Sequence, residues 1–421
     1  MLEPFKGELF IHPAALDYSG NLCSNNCAYC FASLRTQDRR ASVKKLIDLC
    51  LGKSSGKSMT DWLFNQGYPV CVSNKSDPFA ATNWDNTPQI FEALDYAPNG
   101  VFIQTKGGKD DMKICDGLKK ENVVMYITIS TLDEKISRRV EPGAPLPKHR
   151  IELAKYAKAR GWEVIIGINP CTKAWMPEAD LIALEDELLA AGIDRYLIMP
   201  LSLNSKDVAG MCAARRAMLD DATVEAAVKH TDDHFHWRDQ YRRMNRRGLH
   251  AYSVQGPLPC HMDELACKRL GKHINSVQHF TDYGWDEHAR SGKTIFKFED
   301  FLRTMTEGNP EMLTYRHVDC YKYIMCVNRA LWKAGGLAKT AKSFVDVYRV
   351  LWNAGSLAHS PQNLWCFTKL ITADGKPLRD YNGDIQLAFL GGGPIPSRDR
   401  KAAMTVDDLK GKGVNCDEAY S

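Results

Sequence analysis

Cys23-Ser-Asn-Asn-Cys27-Ala-Tyr-Cys30-Phe31 places three thiols within eight residues, separated by three and then two residues. Spacings this short let three thiolates face a single centre, either one zinc ion or three irons of an iron–sulfur cluster. The next cysteine is Cys50, beyond a stretch of helical character, so the loop offers three ligands and leaves one coordination position open. An open position on a metal points to chemistry rather than scaffolding.

Around this loop the chain alternates strand and helix. Short β-rich runs recur at Glu8–His12, Tyr68–Ser73, Val101–Thr105, Val123–Ile129, Glu163–Ile168 and Tyr196–Met199. Between them Ser42–Leu51, Thr87–Leu94, Lys109–Lys119, Lys148–Ala159 and Glu178–Ala190 carry apolar residues at helical spacing, Leu181, Leu184, Leu188 and Leu189 forming one face. Gly161 and Gly192 stand where left-handed helix caps belong, and Pro147 is placed to open a helix. The alternation predicts a parallel sheet, an α/β fold built as a partial (βα)6 barrel over residues 1–204. Functional residues then belong at the strand C-termini, and the cysteine loop follows the first strand at that end. From residue 205 the two-fold alternation fades and helical signals take over, at Ala222–Lys229, Phe235–Arg246 and Ala338–Trp352. A mainly helical accessory region over 205–390 and an irregular tail over 391–421 are expected.

Composition narrows the classes. With 421 residues, 44% of them apolar, the chain buries a large core, and no apolar run approaches the roughly 18 residues of a membrane span. Its start, Met1-Leu-Glu-Pro-Phe-Lys6, lacks the order of a secretory signal, so a cytoplasmic location is expected. In a reducing compartment clustered cysteines read as metal ligands, and Cys50, Cys115, Cys171, Cys212, Cys366 and Cys416 as scattered small hydrophobes. A net charge of +4 is too small to argue for or against a nucleic-acid partner.

The three-cysteine loop after a first strand resembles the signature of the radical S-adenosylmethionine (radical SAM) superfamily. That resemblance implies a [4Fe–4S] cluster on Cys23, Cys27 and Cys30, with S-adenosylmethionine chelating the fourth iron and being cleaved to a 5′-deoxyadenosyl radical. It also implies an electron donor of the flavodoxin or ferredoxin type. Further stretches are similar to the spore photoproduct lyase-like branch, also described as DNA-repair-photolyase-like: Ser73-Asn-Lys-Ser76-Asp77-Pro78-Phe79, Thr105-Lys106, Ile129-Ser130-Thr131, Arg138-Arg139-Val140-Glu141-Pro142, Arg150 and Gly167-Ile-Asn169-Pro170. The resemblance covers residues 7–202. By it, Lys106 and Ser130 approach the carboxylate of the bound cofactor, with Ser76, Asp77, Asn169 and Phe31 also on the cofactor side. Glu141 and Arg150 belong to the same set, and are equally readable as a structural ion pair.

Two departures from the lyase itself matter. Asn74 stands where the lyase has its hydrogen-donating cysteine; the nearest thiol, Cys71, is three residues earlier, an odd offset that turns it to the opposite strand face. Phe31 stands where the lyase has a relay tyrosine, and a phenyl ring has no O–H to donate, so Tyr29 and Cys71 are the remaining candidates for hydrogen transfer. The expectation is a radical enzyme acting on a DNA or RNA base or nucleotide, by modification or rearrangement rather than thymine-dimer repair. Two other readings are a radical enzyme that modifies peptides or proteins through an auxiliary cluster, and a non-catalytic nucleic-acid-binding protein with structural zinc. An auxiliary metal would draw on Cys260, Cys267, Cys320 and Cys326, or on His230, His234 and His236, the first two at i and i+4. Arg242, Arg243, Arg246 and Arg247 read as a phosphate stripe or a solvated helix face, the latter favoured by nearby acids. Trp285, Trp332, Trp352 and Trp365 read as packing residues.

Overall fold

The computed structural model describes residues 14–16, 18, 23–30, 42–53, 64–65, 67, 69–73, 76–252, 269–270, 276–306, 343–353, 367–391 and 403–420. The chain divides into two compact units, the first made of Met1–Glu3, His12–Ser55 and Gly67–Gly271 and the second of Pro4–Ile11, Gly56–Gln66 and Lys272–Ser421.

The first unit is built on seven strands among the described residues: β1 (Ala14–Leu16), β2 (Val70–Val72), β3 (Val101–Thr105), β4 (Val123–Thr128), β5 (Glu163–Ile168), β6 (Arg195–Ile198) and β7 (His250–Tyr252). They pair in sequence order, β1 through β7, and every pair is parallel. Sequential order with parallel crossovers is the winding of an open βα barrel, which brings all strand C-termini to one end. β4 is buried along its whole length, as a strand covered on both faces must be. Helix Thr87–Asp95 buries Ile90, Phe91 and Leu94. Helix Pro147–Ala159 opens on Pro147 and buries Ile151, Leu153, Ala154 and Ala157. Gly161 and Gly192 adopt left-handed φ values of 81° and 75° just past their helices. In helix Glu178–Leu189 the buried face holds Leu181, Leu184 and Leu188, whereas Leu189 is 46% exposed and leaves the expected set.

Several expectations change. The strand expected at Glu8–His12 lies outside the described residues, and β1 begins at Ala14. Lys109–Lys119 forms a 3-10 turn and a single helical turn, Met112–Cys115, closed by a bond from Gly117 N to Ile114 O. The boundary expected near residue 204 moves, because helices Ser205–Ala209, Ala213–Arg216, Asp221–Lys229 and His236–Arg246 lead into β7, which pairs with β6. A three-residue strand reading His-Ala-Tyr is too short for alternation to mark. Arg243 and Arg247 of helix His236–Arg246 and its C-terminal turn bind the fully buried Glu185, Arg247 also reaching Asp186, so this face is an interhelical ion network rather than a phosphate stripe.

Among the described residues the second unit holds helices Ser276–Ser291, Phe298–Thr306 and Phe344–Asn353 and, not foreseen, four strands: β8 (Ile295–Phe296), β9 (Phe367–Ile371), β10 (Leu387–Phe389) and β11 (Ala403–Thr405), in the order β11-β9-β10-β8. Phe296, Phe367 and Phe389 pack with ring centroids 5.1–5.9 Å apart. Trp352 is core, donating Nε1–H to Ile385 O at 2.7 Å, and Trp285 packs edge-on to Phe389; Trp332 and Trp365 lie outside the described residues. The tail expected to be irregular supplies β11 and helix Val406–Lys410, capped by Thr405 and Asp408. Met404, Val406, Leu409, Val414 and Cys416 join the unit's core. Among the described residues no helix is long and apolar enough to cross a membrane.

Candidate functional site

The cysteine loop is held against the turn that follows helix Glu134–Val140. Ala28 N–H donates to Val140 O at 2.8 Å and Gly143 N–H to Asn25 O at 3.1 Å. Asn26 takes a left-handed φ of 46°, a conformation asparagine tolerates better than most residues. The two backbones approach so closely that a Cβ on Gly143 would stand 1.9 Å from the Ser24 carbonyl oxygen. Backbone on both sides leaves no side chain to yield. Gly143→Ala is therefore expected to cost about 1–3 kcal/mol, by the usual scale of overpacking, and to speed thiol-reagent attack on the loop cysteines. Thermal unfolding and native thiol titration check both.

Asp77 straps three segments together. Its Oδ1 accepts from Phe79 N at 2.9 Å and Thr105 Oγ1 at 2.6 Å; its Oδ2 accepts from Asn25 Nδ2 at 2.9 Å and Lys106 N at 2.5 Å. One buried carboxylate thus joins the β2 end, the β3 end and the cysteine loop, each bond to a charged acceptor being worth about 1.5–3 kcal/mol. Ser76 Oγ bonds Ser73 Oγ at 2.6 Å and accepts from Asn83 Nδ2 at 3.1 Å, which stiffens the same turn.

Glu141 is the hub of a second network. Its Oε2 lies 2.6 Å from Arg150 Nη1, an ion pair with side chains at most 1% exposed that lacks the alignment of a hydrogen bond. Arg150 is fixed by donating Nε–H to Pro145 O at 2.7 Å and Nη1–H to Thr128 O at 3.1 Å. Glu141 Oε1 accepts from Ser130 Oγ at 2.7 Å and from the Tyr29 hydroxyl, and Lys106 Nζ stands 4.0 Å away. Lys106 also lies over the Tyr29 ring, 5.6 Å from its centroid. Burial works against the Glu141 charge, and Arg150, Lys106, Ser130 and Tyr29 outweigh it, holding the carboxyl below its ordinary range. Burial, then Glu141 and Cys27, push the Tyr29 phenol well up, so it remains a donor. Burial opposes the Lys106 charge, but Cys27, Glu141 and Asp77 prevail over it and over Arg150, and its pKa rises.

Cys23, Cys27 and Cys30 are free thiols, Cys27 buried and the others half-buried. Burial, with Asp77 and Cys30, pushes Cys23 up to about 11. Burial raises Cys27 further, with Lys106 the largest opposing influence and Glu141, Cys30 and Cys23 adding to the rise. Among the described residues no three histidine, cysteine or acidic side chains are gathered for a single metal ion. A single ion draws its ligands into one coordination shell, whereas a cubane cluster binds each thiolate to a different iron and spreads them wider. Three cysteine thiols are a donor set that either kind of centre takes.

Beyond Lys106, the β3 loop carries a separate titrating group. Asp111 is buried, accepting from Gly108 N at 2.8 Å and Trp84 Nε1 at 3.2 Å. Burial, with Asp77 and Asp110, raises it from 3.8 to about 6. The folded state then binds a proton that the unfolded state releases, so this contribution to stability is present below about pH 4 and lost as pH rises to about 6. Asp111→Asn is expected to flatten that part of the urea-unfolding profile between pH 4 and 6.

The remaining predicted residues are dispersed. Cys71 is buried in the middle of β2, and Asn169, at the β5 end, bonds the Tyr126 side chain. Phe31, Asn74, Cys260, Cys267, Cys320 and Cys326 lie outside the described residues. His230 ends helix Asp221–Lys229 in a left-handed conformation, so it and His234 do not share a helix face; their rings meet edge-on at 4.7 Å. His236 Nε2 pairs with Met176 O at 3.1 Å. Sequence reading missed Asn25, Thr105 and Trp175, whose ring lies 5.6 Å from Tyr29. Asn25 had a signal in its place between the first two cysteines, and Thr105 in its place beside Lys106 at the end of β3.

The sequence matches no protein-family profile. It is 31% identical over 144 residues to the uncharacterized protein ORF301 of Acidianus two-tailed virus, a match over 32% of this chain and 47% of that protein. The chain thus spans about half the length of that relative. Similar solved structures include Streptococcus suis SuiB bound to S-adenosylmethionine, at 16% identity and TM-score 0.37 over 60% of this chain and 54% of that one. A radical SAM methyltransferase from Sphaerobacter thermophilus gives 12% identity and TM-score 0.36 over 56% and 64%. The parallel α/β fold rests on the strand pairings themselves.

Proposed function

We propose that this chain is a radical S-adenosylmethionine enzyme, with Cys23, Cys27 and Cys30 holding a [4Fe–4S] cluster. One observation carries the reading: the cysteine loop, Lys106 and Ser130 are tied into one strand-end site, through Asp77 on one side and Glu141 on the other. When bound, the cluster supplies the electron that cleaves the sulfonium of S-adenosylmethionine. Lys106 would orient the cofactor carboxylate, and Ser130, whose hydroxyl proton goes to Glu141, would position the site beside it. Arg150 stands 2.6 Å from the buried Glu141 carboxylate and Lys106 Nζ only 4.0 Å from it, so the lysine ammonium can also take an incoming carboxylate. Lys106→Met is expected to weaken S-adenosylmethionine binding by about tenfold or more, the scale of one charge-assisted hydrogen bond, as equilibrium binding would show.

The substrate class follows from the resemblance to the spore photoproduct lyase-like branch. A DNA or RNA base or nucleotide, modified or rearranged, fits a chain with Asn74 and Phe31 in place of the lyase's relay residues. A cytoplasmic setting and a flavodoxin- or ferredoxin-type donor complete the reading. Anaerobic reconstitution should give about four irons per chain and 5′-deoxyadenosine under reduction. Deuterium transfer from labelled nucleotides would then identify the substrate. Zinc in place of iron, with no cofactor cleavage, would sink the proposal.

A further inference from the structure

A cleft of about 260 Å³ opens beside this site, lined by Cys171, Thr172, Leu201, Ala226, Asp233 and His234 among others. It lies just past the ends of β5 and β6, the sheet end that also carries Lys106 and Ser130. The two loops that frame it are pinned: Met199 N–H donates to Ile168 O at 3.1 Å and Cys171 N–H to Met199 O at 2.7 Å. Its apolar floor is continuous with the cysteine loop. Leu201 and Ala227 belong to the same buried cluster as Ala28, Val140 and Trp175, and Tyr29 packs against that cluster.

The remaining lining offers small walls and a polar rim. Helix Asp221–Lys229 contributes Ala222, Thr223, Ala226 and Ala227, residues that leave a space rather than fill it. Lys173 Nζ and an Asp233 carboxylate oxygen stand 3.3 Å apart at the rim, a donor and an acceptor side by side on exposed side chains. An exposed pair of this kind is worth about 0–1 kcal/mol, so a ligand can exchange it for its own hydrogen bonds at little cost. The His234 ring is steadied by the edge of His230. Burial, with His230 and Arg238 nearby, lowers its pKa and favours the neutral imidazole, an aromatic face suited to stacking.

We propose that this cleft is a nucleobase subsite, taking the base between the alanine face and Leu201 and reading its edge with Lys173 and Asp233. The inference rests on the reading of the chain as an enzyme that acts on a nucleic-acid base. Nucleobases combine apolar faces with an edge on which donors and acceptors alternate, and enzymes that work on a single base read it by stacking plus edge hydrogen bonds. The cleft holds both halves of that demand.

Calorimetric titration of the full-length protein with thymidine tests it, alongside N3-methylthymidine, which lacks the edge N–H. Saturable thymidine binding at one site is expected. N3-methylthymidine should bind at least fivefold more weakly, and Ala226→Phe, checked for folding by circular dichroism, should lower thymidine affinity at least tenfold. Lys173→Ala, a surface change with little risk to folding, should lower it severalfold. No saturable binding, equal affinity for the two nucleosides, or wild-type affinity in both variants would overturn the proposal. So would displacement of thymidine by S-adenosylmethionine, which would assign the cleft to the cofactor, or by a short peptide. Formation of 5′-deoxyadenosine, assayed separately, decides the enzyme reading whichever way the titration falls.

Discussion

Replacing Glu141 by glutamine is expected to destabilise the protein by about 3–5 kcal/mol, the scale for breaking a buried ion pair from one side. The change keeps shape and removes charge, leaving Arg150 with at most 1% of its side chain exposed and no counter-ion. Ser130 and Tyr29 would still find an amide oxygen, so the loss falls mainly on the ion pair. Restoring charge balance should therefore recover part of it: Glu141→Gln with Arg150→Met is expected to be less destabilised than Glu141→Gln alone. Arg150 also donates to Pro145 O and Thr128 O, which limits the recovery. The pH dependence has a definite sign. A carboxyl held below its ordinary 4.5 contributes stability that is fully present above that pH and is lost as pH falls through the folded value. Asp111 acts in the opposite sense over about pH 4 to 6, so the two single variants should tilt the acid limb of the unfolding profile in opposite directions. Urea unfolding at pH 4 and pH 7, followed by circular dichroism, measures both.

The sheet was legible because parallel strands buried on both faces must be apolar throughout. Val101–Thr105 and Glu163–Ile168 were read at the limits observed. β7 and β11 were not read, each having three residues whose pairing depends on neighbours distant in sequence. Site residues divide in the same way. Ser130, Lys106 and Glu141 were found by resemblance, but no local pattern announces that Tyr29, inside the cysteine loop, donates to Glu141 across 112 positions. Asp77 was read as a cofactor contact; both its oxygens are engaged by protein donors, which makes it a positioning residue in the observed arrangement. His230 and His234 show the converse error. Spacing of four implies a shared face only while the helix continues, and this one stops at Lys229.

Exchanging Cys27 for serine is expected to reduce iron after anaerobic reconstitution from about four per chain to near zero, because a three-thiolate site has no spare ligand. Cys27 is the informative member of the three. It is the most buried, at 7% exposure, and in the metal-free protein burial keeps its thiol protonated. Ligation requires the thiolate, and the cation that opposes the burial effect is Lys106. Lys106 is thus placed to serve two anions, the Cys27 sulfur and a cofactor carboxylate. Lys106→Met should accordingly slow cluster assembly as well as weaken cofactor binding. Serine preserves the size of Cys27 closely enough that the thermal midpoint of the metal-free variant should stay within a few degrees of wild type. Cys212→Ser, at an exposed position outside the loop, should keep its full iron. Iron retained by Cys27→Ser, or lost equally from Cys212→Ser, would place the metal elsewhere and undo the assignment of the opening loop.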